Sequence, residues 1–191
     1  MSTDSGNSLF TAAQQRWQRW LTISTIAIAI AMLIVDHPLK TAHAPLGIIS
    51  LQLAGGTQAA KQVVYDWGHK DRLAAAFGLG LDYLFLSSYS VWMFFGCRWA
   101  AVRWMKSSPS RGSLFGKLAW GAFAAAILDA AENVVLLIFL QSDGRSVLYP
   151  LAFWCAVVKF LLILMVVGIW ISGMFVPREG GPAKPVTPKK P

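Results

Sequence analysis

The sequence has little charge and few cysteines, and both shortages narrow what the chain can be. Only 14% of its 191 residues are charged, whereas 55% are hydrophobic. A soluble domain of this length rarely has such a composition. The two cysteines, Cys97 and Cys155, are far apart and belong to no C-x-x-C pair, which argues against a disulfide framework or a thiol-redox site. Composition therefore assigns the chain to the membrane class.

Signatures of common cofactor sites are also missing. All the histidines lie between apolar runs, at His37, His43 and His69. We therefore expect no haem held by two histidines inside a helix bundle. Nearby aspartates could join these histidines at a surface metal site, but the spacing matches no standard motif. We interpret them as solvated loop residues, and the sequence assigns neither a cofactor nor an enzymatic activity.

The net charge of +8 does not indicate a nucleic-acid partner, because the basic residues flank the apolar runs. Excluding Lys159, eleven basic residues lie on one side of the predicted membrane and five on the other. The more basic side is expected to be cytoplasmic. We predict a multi-pass protein of the bacterial inner membrane with both termini in the cytoplasm. Its partner is the lipid bilayer, and a homo-oligomer or a partner membrane protein is left open.

Four apolar runs are long enough to cross a membrane, at about 17–36, 73–97, 115–140 and 150–173. They predict an all-α fold, with a four-helix transmembrane bundle over 17–173. Residues 1–16 are predicted to be a cytoplasmic segment. Residues 174–191, rich in proline, glycine and lysine, are predicted to be a disordered cytoplasmic tail.

The first apolar run could instead be a signal peptide, because Ala42-His43-Ala44 resembles a cleavage site. Pro45 follows this site directly, and the site lies well past the apolar run. Trp17 and Trp20 are typical of anchors at a membrane interface. These features favour a retained helix.

The first external loop, about 37–72, is too long to be only a connector. Within it, residues 58–67 have the pattern of a short amphipathic helix, with Thr57 as N-cap and Gly68 just beyond the C-terminus. The apolar residues on one face are Val63, Val64 and Trp67. Such a helix would lie on the outer membrane surface, cover the bundle as a lid, or pack as an ordinary loop helix.

Ionisable side chains lie inside the apolar runs, at Asp82, Asp129, Glu132 and Lys159. A charge at the centre of a spanning helix costs roughly 2.5–3.5 kcal/mol on insertion scales, so such residues usually have partners or a function. At 1.5 Å rise per residue, all four lie roughly 12–16 Å from the external ends of their helices. This common depth predicts one polar cluster.

Two further residues join this predicted cluster. Asp129, Glu132 and Asn133 have i, i+3, i+4 spacing and share one helix face. Tyr89 lies two turns from Asp82 on the same side of its helix. Since the cluster holds three acids and one base, we predict that Lys159 pairs with Asp129 or Glu132.

Two segments resemble ones in small uncharacterised bacterial four-pass membrane proteins. They are Leu81-Asp82-Tyr83-Leu84-Phe85 with Tyr89, and Asp129-Ala130-Ala131-Glu132-Asn133. The resemblance extends through residues 51–67 and implies a four-pass fold, but no activity. Four-helix quinone-linked thiol oxidases share the helix count and an external loop helix, but this sequence lacks their cysteine pairs, so we reject that activity.

Two classes of function fit these observations. In the first, the six polar residues bind or translocate a proton, a cation or a small polar ligand: Asp82, Tyr89, Asp129, Glu132, Asn133 and Lys159. In the second, this is a structural or assembly protein whose cluster only fixes helix packing. A lipid enzyme of the outer leaflet, with Asp129 or Glu132 as acid/base, is a third alternative.

Overall fold

The computed structural model describes residues 12–176, with side chains from residue 16 onward. The predicted cytoplasmic segment 1–16 and tail 174–191 lie almost entirely outside these residues. The regular structure that is described is entirely helical, which confirms the all-α prediction. Its α-helices are α1 (Ala12–Asp36), α2 (Ile48–Gln52), α3 (Thr57–Asp66), α4 (His69–Ser107), α5 (Pro109–Leu118), α6 (Gly121–Gln141) and α7 (Tyr149–Met174).

Three helical stretches are long and apolar enough to cross a membrane, which makes this a membrane protein by length and composition. They are Arg16–Leu39, Pro109–Gln141 and Tyr149–Met174. The long helix α4 is not among the stretches that meet this criterion within the described residues. Its apolar centre contains Asp82 and three serines, which lower its mean hydropathy.

Helix α4 is the centre of the molecule. It packs against α1, α5, α6 and α7. Its buried residues recur every three or four positions, as expected for one helix face held against neighbouring helices: Ala75, Leu79, Asp82, Leu86 and Tyr89. At 39 residues, α4 is about 58 Å long. The apolar run at 73–97 predicted only its central part, because charged residues at both ends continue the helix into water.

A cap of short helices covers one end of the bundle. Val63, Val64 and Trp67 are buried in the same apolar core as Leu136 and Tyr149 of the long helices. The indole Nε1 of Trp67 donates to the Leu39 carbonyl at 2.8 Å. The Tyr149 hydroxyl donates to the Leu51 carbonyl at 2.7 Å. The amphipathic helix α3 is therefore packed on the bundle through its apolar face.

The predicted N-cap of α3 was wrong. Thr57 is the first helical residue, Gly56 is the N-cap, and no side chain caps the helix. Gly68 begins the next helix: its N–H donates to Asp71 Oδ2 at 3.3 Å, and its φ of −66° needs no glycine. Gly68 does lie just beyond the end of α3, as predicted, but it is also the N-cap of α4, because only Trp67 and Gly68 separate the two helices.

The predicted helix 115–140 is divided at Ala119 and Trp120. There the backbone hydrogen bonds shorten by one residue, with the Trp120 N–H donating to the Lys117 carbonyl and the Ala122 N–H to the Ala119 carbonyl. These i→i−3 bonds are the tighter 3₁₀ pattern. An apolar run carries no signal for such a break.

Candidate functional site

Six side chains from three helices meet in the interior, and we call them the buried cluster. Helix α4 contributes Asp82 and Tyr89, α6 contributes three residues, and α7 contributes Lys159. The α6 members are Asp129, Glu132 and Asn133. All six are buried, with residue exposures between 0% and 6%. The structure therefore brings together every candidate site residue that the sequence singled out.

Lys159 contacts two acids at once. Its Nζ lies 2.5 Å from Asp129 Oδ1 and 2.7 Å from Glu132 Oε2. The predicted pairing of Lys159 with an acid of α6 is confirmed, and it involves both acids. Since buried charges are stable only when paired and hydrogen-bonded, this arrangement explains how a lysine can occupy the middle of an apolar helix.

Helix α4 is joined to α6 by two side-chain hydrogen bonds within the cluster. The Tyr89 hydroxyl donates to Asp129 Oδ2 at 3.1 Å. The Asn133 side-chain amide donates to Asp82 Oδ2 at 2.7 Å. Asp82 and Asp129 therefore belong to one hydrogen-bonded layer between α4 and α6. Ionised carboxylates gathered in one buried layer repel each other, so protonation of one of them stabilises the layer.

Glu132 is the least satisfied member of the cluster. It is completely buried, yet neither of its carboxyl oxygens accepts a hydrogen bond from the described residues. Lys159 Nζ is near enough to Glu132 Oε2 for an ion pair, but the angles do not make a hydrogen bond. Asn133 Oδ1 likewise has no partner among the described residues.

The charge count of the cluster does not balance by itself. Three ionised acids and one lysine would sum to −2 in a buried volume. Burying an unpaired charge in such surroundings costs several kcal/mol. A buried group therefore gains or loses a proton and becomes neutral instead. The cluster therefore needs about two protons, or an equivalent positive charge, to be neutral.

Apolar residues close the cluster on both sides along the bundle. Toward the cap, one turn away, lie Leu79 of α4 and Val135 and Leu136 of α6. Toward the other end lie Leu86 and Ala126. The contacts and the burial describe a closed, paired polar layer within an apolar bundle.

Sequence reasoning missed one polar contact beside the cluster. The Tyr83 hydroxyl donates to the Ala130 carbonyl at 3.1 Å and joins α4 to α6. Tyr83 stands next to Asp82 in the segment that carried the family resemblance. The neighbouring position was the only available signal, because a tyrosine near the middle of an apolar helix is not diagnostic.

The histidine–aspartate group of the loop between α1 and α4 forms a hydrogen-bonded contact. His43 Nδ1 lies 2.5 Å from Asp66 Oδ2, and Gln62 donates to Asp66 Oδ1. The hydrogen bond with His43 is the main cause of a lowered pKa at Asp66. Across the described residues 12–176, no three His, Cys, Asp or Glu side chains are arranged to hold a metal ion.

Comparison with known proteins adds no assignment. No protein-family model matches the chain, and no curated protein or solved structure is significantly similar to it.

Proposed function

We propose that the chain crosses the bacterial inner membrane four times, with α1, α4, α5–α6 and α7 as the spans and both termini in the cytoplasm. The position of α4 in the bundle supports its assignment as a span. It packs against all three stretches that are long and apolar enough to span. A helix held among three spanning helices follows their course, and Asp82 on its buried face is shielded from lipid by α6.

We further propose that the buried cluster is a proton-binding site. The observation that carries this is that three buried acids share one lysine in a closed layer, so the layer is neutral only when it also holds protons. A proton needs no empty volume, so it suits a closed cluster. A metal cation would need several ligands arranged around it, and the described acids do not have that arrangement.

The structural alternative rests on a specific observation of its own. The hydrogen bonds and ion pairs of the cluster all join different helices: α4 to α6 and α6 to α7. Polar contacts of this kind hold membrane helices together. In this alternative the carboxyl protons are permanent, whereas in the proposed function at least one of them exchanges.

Substitution of Asp82 by asparagine separates the two functions. Asn keeps the shape and most of the hydrogen bonding of a protonated carboxyl but cannot ionise. Thermal unfolding of the purified wild type and Asp82→Asn should be followed across pH, with and without added Na⁺ and Mg²⁺. The exposed loop acid Asp143 supplies the matched control, Asp143→Asn.

A proton site predicts one component of the pH response that the wild type and Asp143→Asn share and that Asp82→Asn lacks, while the acid-dependent contribution of Asp66 remains in all three proteins. If unfolding temperature depends on pH in the same way in all three proteins, Asp82 does not bind an exchanging proton and only packs between helices. A response to Na⁺ or Mg²⁺ at constant pH would replace the proton with a cation.

A further inference from the structure

A groove of about 610 Å³ lies between α1 and α7, far from the cap. Its walls come from the beginning of α1, the C-terminal third of α4 and the end of α7. These parts of α1 and α7 belong to stretches that are apolar enough to span a membrane. The groove therefore opens sideways, toward the bilayer.

The groove exists because α1 is a peripheral helix. Only 6% of its most apolar window is buried inside the protein, and it packs chiefly on α4. The indole Nε1 of Trp92 donates to Thr22 Oγ1 at 2.9 Å and holds α1 against α4. The contact fixes one wall of the groove and leaves a gap between α1 and α7.

The floor of the groove is built from a tryptophan laid over a glycine. A Cβ at Gly96 would lie 2.9 Å from the Trp170 ring, so only glycine lets this ring lie so close to α4. Trp92 meets Trp170 edge to face with ring centroids 4.7 Å apart. These contacts give the groove a rigid apolar floor of the kind that accepts a hydrocarbon chain.

The mouth of the groove is positively charged. Arg19 lines it beside Gln18, and the Arg103 guanidinium stacks on Trp99, another lining residue, at 4.9 Å. Of the described residues that line the groove, one is basic and none is acidic. Basic pockets between membrane helices attract anionic lipid headgroups.

We propose that this groove binds one anionic phospholipid. Its phosphate contacts Arg19 and Gln18, and one acyl chain lies along Ile23 and Trp170. The charge at the mouth complements an anionic headgroup, and the apolar walls complement the chain. This site is separate from the buried cluster and does not depend on its function.

The test is native mass spectrometry of the full chain in detergent, after incubation with equal amounts of dioleoyl phosphatidylglycerol and dioleoyl phosphatidylcholine. The variants are Arg19→Gln and, as a matched control one turn earlier on the same helix, Arg16→Gln. Arg16 and Arg19 are both exposed, so neither variant should disturb folding, which unfolding temperature checks.

The wild type and Arg16→Gln are expected to retain one lipid and to prefer phosphatidylglycerol by about tenfold, equivalent to about 1.4 kcal/mol. Arg19→Gln is expected to lose this preference. Retention of both lipids in equal amounts by the wild type, or the same preference in both variants, would overturn the proposal. Retention of no lipid by the wild type would also overturn it. That result is expected if the C-terminal segment of the chain fills the groove instead of a lipid.

Discussion

Lys159 is the residue on which the buried cluster depends. It is 3% exposed and supplies the cluster's only basic group among the described residues. A lone ammonium or carboxylate in this position would be strongly unfavourable, whereas each stabilises the other as a pair. The ion pair therefore makes a charged layer compatible with an apolar bundle.

Removal of Lys159 should expose this dependence. Lys159→Met leaves the two acids without their cation and should lower stability by about 3–5 kcal/mol, the usual cost of breaking a buried pair. Asp129→Asn in the same chain should recover part of the loss. The measurement is the fraction of folded protein after heating in detergent, for both single variants and the double variant. Strictly additive losses would mean that the two residues do not interact.

At the scale of elements, the cap ties one end of the long helices together. Tyr149 at the start of α7 bonds to α2, and Arg72 of α4 pairs with Asp143 in the turn between α6 and α7. In that turn Asp143 and Gly144 have φ of 51° and 75°. Helix α3 covers the turn, with Lys61 against Gly144. The short helices thus fix the relative positions of α4, α6 and α7.

Tyr149→Phe should loosen the cap. The substitution leaves the buried Leu51 carbonyl without its donor, which costs about 1–3 kcal/mol. Faster backbone hydrogen exchange in α2 is the expected readout. Tyr65→Phe is the matched control, because Tyr65 is 80% exposed; an equal effect of both substitutions would contradict the role given to Tyr149.

The contact between His43 and Asp66 should weaken in acid. The pKa of Asp66 is lowered in the folded state from a usual value of 3.8, chiefly by the hydrogen bond with His43. A lowered folded pKa gives stability that is present above pH 3.8 and lost as pH falls through the folded pKa.

Hydrogen exchange in α3 of the wild type should therefore be slower than in Asp66→Asn at neutral pH. The two proteins should converge at acidic pH. A difference that persists unchanged down to the lowest pH at which both proteins remain folded would show that the carboxylate charge is not the cause.

Across the whole molecule, the sequence predicted the helical class and the members of the cluster, because burial of charge leaves a strong signal in apolar runs. It did not predict the break at Ala119, the N-cap of α3 or the length of α4. Those depend on contacts between elements and on polar residues that extend a helix beyond its apolar run. The Tyr83 contact and the groove beside Trp170 were not predictable for the same reason. The contact arises only when α4 packs on α6, and the groove only when α1, α4 and α7 pack.

Topology is a property of the whole chain and has a direct test. Eleven basic residues on one side against five on the other, excluding Lys159, predict that residue 191 lies in the cytoplasm. A reporter enzyme fused after residue 191 should be active only if it functions in the cytoplasm. Activity of a periplasmic reporter at that position would reverse the topology and assign the cap to the other side.

Infrared difference spectroscopy across a pH change tests the proton site most directly. A protonated carboxyl has a C=O stretching band that an ionised carboxylate lacks. The wild type and Asp143→Asn should show such a band, and its amplitude should decrease as pH rises. Asp82→Asn should lose this pH-dependent change. A carboxyl band of constant amplitude at every pH in all three proteins would contradict an exchanging proton in the buried cluster.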